Sequence, residues 1–199
     1  MAQIHWASVT GEELRAEYLS TGSVGSLLPK IAAVYFWKLK LRPDVSFHDQ
    51  DGLVDHVKRV ASLPQARIGT IALSRSISID GIYIGGAGLT EAKIKELRNF
   101  VSQPKRAQWL IKFLTDLESR IPTLYVGESG SLPVRIANHV SGNSDFGQAI
   151  EAEPDLRWRD LYLEYVKTGE ATEDESGRRR TLEHLATVLT ISNYTKRAG

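Results

Sequence analysis

Arg135 and His139 stand four residues apart, a spacing that puts both side chains on one face of a single helix. An arginine so placed presents a planar, permanently charged fork that suits a phosphate. Near a helix start it also adds to the free backbone N–H groups there. A histidine one turn on can donate to the same phosphate or exchange a proton near neutral pH. The plainer alternatives are a surface arginine and a histidine packed at a helix end. The segment that must position the pair reads as strand, tight turn and helix. Pro122-Thr123-Leu124-Tyr125-Val126 is a short β-favouring run, and Gly127, Gly130 and Pro133 punctuate the turn after it. Ser131 or Leu132 caps the helix and Pro133 suits its first turn. Val134, Ile136 and Ala137 supply an inner face, and Gly142 stops it.

The run Leu124-Tyr125-Val126-Gly127-Glu128-Ser129, feeding a helix with Arg135 and His139, resembles the second half-motif of the GIY-YIG nuclease superfamily. In that family a later helix carries a metal-binding Glu and an Asn lies near the domain end. Arg180-Thr181-Leu182-Glu183-His184-Leu185 and Ile191-Ser192-Asn193-Tyr194 follow here in that order. The resemblance runs from Tyr125 to Asn193, about a third of the chain. It implies a small, mainly antiparallel sheet flanked by helices, an α/β (α+β) fold, and Mg²⁺-dependent (or Mn²⁺-dependent) hydrolysis of DNA phosphodiesters. Under it Glu183 is the metal ligand and Arg135 stabilises the developing charge. Tyr125 and a first-strand tyrosine orient or activate the nucleophile, His139 assists, and Asn193 orients the site or fixes backbone. A single carboxylate suffices for magnesium, which keeps waters and takes phosphate oxygens as further ligands. Glu128 departs from the Lys or Gln that many members place just after the motif. It is a second potential ligand or a drifted position.

Two segments compete for the first half-motif. Gly81-Ile82-Tyr83 matches its letters, but Gly85, Gly86 and Gly88 break the run. Ile31 to Leu39, with Tyr35 at its centre, lacks the glycine yet offers a full strand of β-formers and is preferred. That choice makes the chain one domain over 1–199, with 42–120 inserted before the second motif strand. The alternative is an N-terminal region over 1–80 and a core over 81–199.

A 42% hydrophobic content supports an ordinary core, and no apolar run reaches the length of a membrane span. The start Met-Ala-Gln-Ile-His-Trp lacks a basic-then-apolar signal, so the expectation is a cytoplasmic chain with no membrane partner. Without cysteine there is no disulfide and no thiolate ligand or nucleophile, so any catalytic metal needs oxygen or imidazole donors. The net charge of +1 hides an asymmetry: residues 30–120 carry 15 Lys+Arg against 9 Asp+Glu, 128–175 carry 4 against 11, and 176–199 carry 5 against 1. Lys93, Lys95, Arg98, Lys105, Arg106, Lys112 and Arg178, Arg179, Arg180 are the candidate phosphate contacts, of which Lys105, Arg106 and the three arginines are expected on DNA. Such charges are often only solvated faces.

Residues 12–19 read as a helix, 29–41 as a strand and 51–63 as a helix. Ile68–Leu73 and Ile77–Tyr83 read as an antiparallel pair. Thr90 caps a helix with Ile94, Leu97 and Val101 on one face, and Pro104 separates it from a second bearing Trp109, Leu110, Phe113, Leu114 and Leu117. Ser141–Gly147 reads as a loop, Leu161–Val166 as a strand and Thr168–Gly177 as an acidic surface loop. A last helix starts near Thr181 with Leu182, Leu185 and Leu189 as its stripe. Gly86-Ala87-Gly88 lacks the third glycine of a dinucleotide turn, and Gly127-Glu128-Ser129-Gly130 is no nucleophile elbow. The reading is a DNA endonuclease of restriction or phage- and plasmid-defence type, acting alone, as a homodimer or with a partner protein. A repair or mobile-element nuclease and a degenerate nucleic-acid-binding subunit are the rivals.

Overall fold

Apolar residues fill Ala32–Leu39 almost without interruption, which suits a strand covered on both faces rather than one. The computed structural model describes residues 5–63, 66–68, 71–74, 77–79, 82–84, 88–121, 123–154, 156–169 and 173–190. In chain order the elements are β1 (Trp6–Thr10), α1 (Gly11–Thr21), β2 (Ala32–Leu39), α2 (Gln50–Ser62), β3 (Ala66–Ile68), β4 (Ile71–Ser74), β5 (Ile77–Ile79), β6 (Ile82–Ile84), α3 (Glu91–Val101) and α4 (Pro104–Glu118). There follow β7 (Tyr125–Ser129), α5 (Leu132–Val140), α6 (Asp145–Ala152), a single 3₁₀ turn (Trp158–Asp160), β8 (Leu161–Gly169) and α7 (Glu173–Thr190). The chain is α+β and divides into two units, Met1–Leu39 with Pro122–Gly199, and Lys40–Ile121.

The first unit is built on a four-stranded antiparallel sheet of order β1-β8-β2-β7. Strand periodicity sends Tyr35 and Trp37 to one face and Val34 and Phe36 to the other. On the first face Trp37 packs against Phe146 of α6 and Trp158 of the 3₁₀ turn, with ring centroids 5.7 and 5.3 Å away. On the second, Val34, Phe36 and Val126 pack with Val166 and with Ala186 of α7.

The second unit has α2, α3 and α4 with two short ladders, β3 with β6 and β4 with β5. The buried Glu118 carboxylate accepts from the backbone N–H groups of Leu41 and Arg42. Ala107, Leu110 and Leu114 form the inner side of α4, whereas Trp109 and Phe113 face out.

Several expectations change. The one long strand pair becomes four short strands, with Tyr83 on β6 opposite Arg67. Trp6–Thr10 is a strand the apolar pattern does not announce, since its side chains are exposed or half-exposed. Ser144 caps α6 by accepting from the Gly147 N–H, so the expected loop ends three residues early. α7 starts at Glu173, within the stretch expected as an acidic loop. Val134 is exposed, and Leu182 and Leu185 are exposed as well; among the described side chains of α7 the inward ones include Arg179, Glu183 and Ala186, and that of Leu189 lies outside them. Among the described residues no helix is long and apolar enough to cross a membrane.

Candidate active site

β2 and β7 lie side by side, with Tyr35 opposite Gly127 and Trp37 opposite Tyr125. Tyr35 and Tyr125 are therefore diagonal neighbours on one face, their ring centroids 6.1 Å apart and their planes 29° from parallel. Gly127 makes this possible. A Cβ there would collide with the Tyr35 hydroxyl and lie 2.8 Å from Cε1 of Tyr125, so the glycine of the Tyr-Val-Gly run is the space a phenol occupies.

α5 then brings Arg135 and His139 over the two phenols. The Arg135 Nε–H donates to the Tyr35 Oη at 3.2 Å and its Nη2–H to the Tyr125 Oη at 3.3 Å. Tyr35 is fully buried and its hydroxyl lies 2.8 Å from His139 Nε2, while His139 Nδ1 lies 2.6 Å from the Ser144 Oγ. Burial, with the Arg135 charge adding to it, lowers the His139 pKa to about 3, so the ring is neutral. Burial, reinforced by Tyr125, holds the Tyr35 phenol well above its ordinary value despite Arg135. The neutral ring donates through one nitrogen and accepts through the other, so it bridges the Tyr35 and Ser144 hydroxyls in either tautomer. The chain from half-buried Ser144 through buried His139 to buried Tyr35 thus locks Arg135 from below, and Tyr125, half-buried, is the phenol nearer solvent.

β7 is an outer strand of the described sheet, and around it the two faces meet. On the second face the Arg179 Nε–H donates to Glu128 at 3.1 Å, both side chains mostly buried. One turn further along α7, the half-buried Glu183 has its pKa raised, first by burial and then by the like charge of Glu128. The charges of Arg135 and Arg180 oppose that rise. Among the described residues Glu183 makes no hydrogen bond or ion pair, and no group of three or more His, Asp or Glu converges. An unpaired carboxylate beside a second one, with no thiolate near, is a hard oxygen donor set of the kind Mg²⁺ or Mn²⁺ takes.

No family model matches the chain, and neither does any curated protein or solved structure. The structure brings Tyr35, Tyr125, Arg135 and His139 into one hydrogen-bonded group and puts Glu183 within reach of Arg135's charge. Tyr83 belongs to the other unit, as do Lys105 and Arg106, which are exposed. Asn193 and Gly81 lie outside the described residues. Glu183 sits mid-helix instead of early in its helix, because α7 starts sooner than expected. Arg179 also differs from its expected place on DNA: it is 5% exposed and its charge is committed to Glu128, while Arg178 and Arg180 are exposed. Sequence reasoning passed over Ser144 and the Arg179–Glu128 pair. The Ser-x-x-Gly start of α6 signals the first; the second joins residues 51 apart and has no local signal.

Proposed function

We propose that the chain is a GIY-YIG-type, Mg²⁺-dependent DNA endonuclease of restriction or defence type. The observation that carries this reading is Arg135 bonded at once to the phenols of two adjacent strands, with His139 behind one of them. Two guanidinium N–H groups are spent on the phenols, and the rest remain available to a phosphate whose charge grows in the transition state. Because the phenols fix the fork, little reorganisation remains to be done when the phosphate arrives. Tyr125 is the phenol placed to orient an attacking water. His139, neutral and buried, holds the Tyr35 hydroxyl in place and is too weak a base to take the proton itself.

Glu183, with Glu128 beside it, would hold the cation, and the cation when bound supplies Lewis-acid stabilisation of phosphate charge. Supercoiled plasmid incubated with the purified chain tests the reading. Nicking that requires Mg²⁺ or Mn²⁺, stops with EDTA and is lost in Glu183→Gln and Arg135→Ala is the expected result. Wild-type cleavage that is absent with either cation, or unchanged in both variants, removes it.

A further inference from the structure

Two large aromatic side chains sit on the outside of α4 where its own inner face is already filled. Trp109 is 57% and Phe113 44% exposed, while Ala107, Leu110 and Leu114 pack inward. Their rings lie 5.3 Å apart and only 9° from parallel, stacked on one another as a step. Phe100 of α3 meets the step edge-on at 6.0 Å, and the Arg106 guanidinium lies over the Phe100 ring at 5.7 Å. Lys105 is one turn before Trp109 on the same face. An outward aromatic cluster of this kind calls for an occupant.

The charge around it decides which. Residues 91–118 hold six Lys or Arg and four Asp or Glu. Glu96 and Asp116 are paired with Lys93 and Lys112, Glu118 is buried on backbone amides, and Glu91 is exposed in the first turn of α3. Lys95, Arg98, Lys105 and Arg106 make no ion pair among the described residues. A protein interface core is depleted of charge, lysine above all, so a surface of rings rimmed by uncompensated cations fits a polyanion better. A duplex hides the faces of its bases in the stack and offers only their edges. An unpaired strand offers its ring faces and its phosphates together. We propose that the outward face of α4 binds unpaired DNA, its bases stacking on Trp109 and Phe113 and its phosphates meeting Lys105 and Arg106.

This deepens, and rests on, the reading of the chain as a DNA-directed enzyme, by giving its substrate an unpaired segment. Fluorescence anisotropy in EDTA, with labelled oligothymidylate and a blunt duplex of equal length, tests it without cleavage intervening. The single strand should bind more tightly. Trp109→Ala should weaken that binding roughly 5- to 100-fold, as expected for one lost stacking partner. Phe113→Leu, which keeps apolar bulk and removes the ring, should also weaken it, and neither change should alter duplex binding. Equal affinity for duplex, tighter binding of oligouridylate, or wild-type behaviour of Phe113→Leu overturns the assignment. So does a concentration-dependent dimer that Trp109→Ala abolishes, since the surface then belongs to a second copy. Plasmid cleavage without single-strand preference removes only this inference, and single-strand binding without cleavage removes only the nuclease reading.

Discussion

Tyr35 on β2 faces Gly127 on β7 across an antiparallel pair, and the phenol fills the space where a Cβ at 127 would lie. Both the hydroxyl and the ring crowd that point, and the Tyr125 ring closes the other side. Gly127→Ala should therefore destabilise the chain by about 1–3 kcal/mol through overpacking and displace the hydroxyl that Arg135 and His139 share. Thermal melts of Gly127→Ala, Tyr35→Phe and the double variant check this. The two losses should be clearly less than additive, because removing the hydroxyl relieves the nearest clash; strict additivity would mean the glycine serves something else.

The two tyrosines should separate stability from rate. Tyr35→Phe leaves buried His139 Nε2 and the Arg135 Nε–H without a partner, a loss of about 1–3 kcal/mol. Tyr125→Phe removes one 3.3 Å bond at a half-buried position and should cost less than about 0.5 kcal/mol. Both should slow single-turnover cleavage, since each frees one arm of Arg135. Equal melting shifts would contradict the buried Tyr35–His139 contact.

Glu183 should make stability fall with pH. Burial and Glu128 raise its pKa above 4.5, so the unfolded chain releases this proton at lower pH than the folded one. Its contribution is full below that value and is lost as pH rises through the raised one. Glu183→Gln should melt higher than wild type at pH 8 and at the same temperature at pH 4. Adding Mg²⁺ at pH 8 should raise the wild-type melting temperature and leave the variant unmoved. A difference that does not change with pH would place Glu183 in a solvated setting.

The three consecutive arginines should divide. Arg178→Ala with Arg180→Ala should weaken DNA binding and reduce the salt slope, since both side chains are exposed beside the site. Arg179→Ala should instead lower the melting temperature, because it strands the mostly buried Glu128 carboxylate. Salt titrations of DNA affinity run beside thermal melts read the two effects separately. A changed slope and an unchanged melt for Arg179→Ala would put its guanidinium on DNA.

The sequence alone determined what local chemistry can announce. β-Formers around Tyr35 and Tyr125, the glycines after Val126 and the four-residue step from Arg135 to His139 are enough to write strand, turn and helix with Arg135 and His139 on one face. The helices with clear periodicity, α2, α3 and α4, fell where their spacing put them. Tertiary structure decided everything that joins distant residues. Tyr35 and Tyr125 meet because β2 pairs with β7 across 90 residues, and Arg179 reaches Glu128 only because α7 lies on that side of the sheet. The same packing made Arg179 an inward partner among three identical side chains, and it turned His139 from a free base into a neutral, hydrogen-bonded ring. Periodicity fixes which residues share a face, but the partner of that face, and the desolvation that sets its charges, exist only once the sheet is assembled.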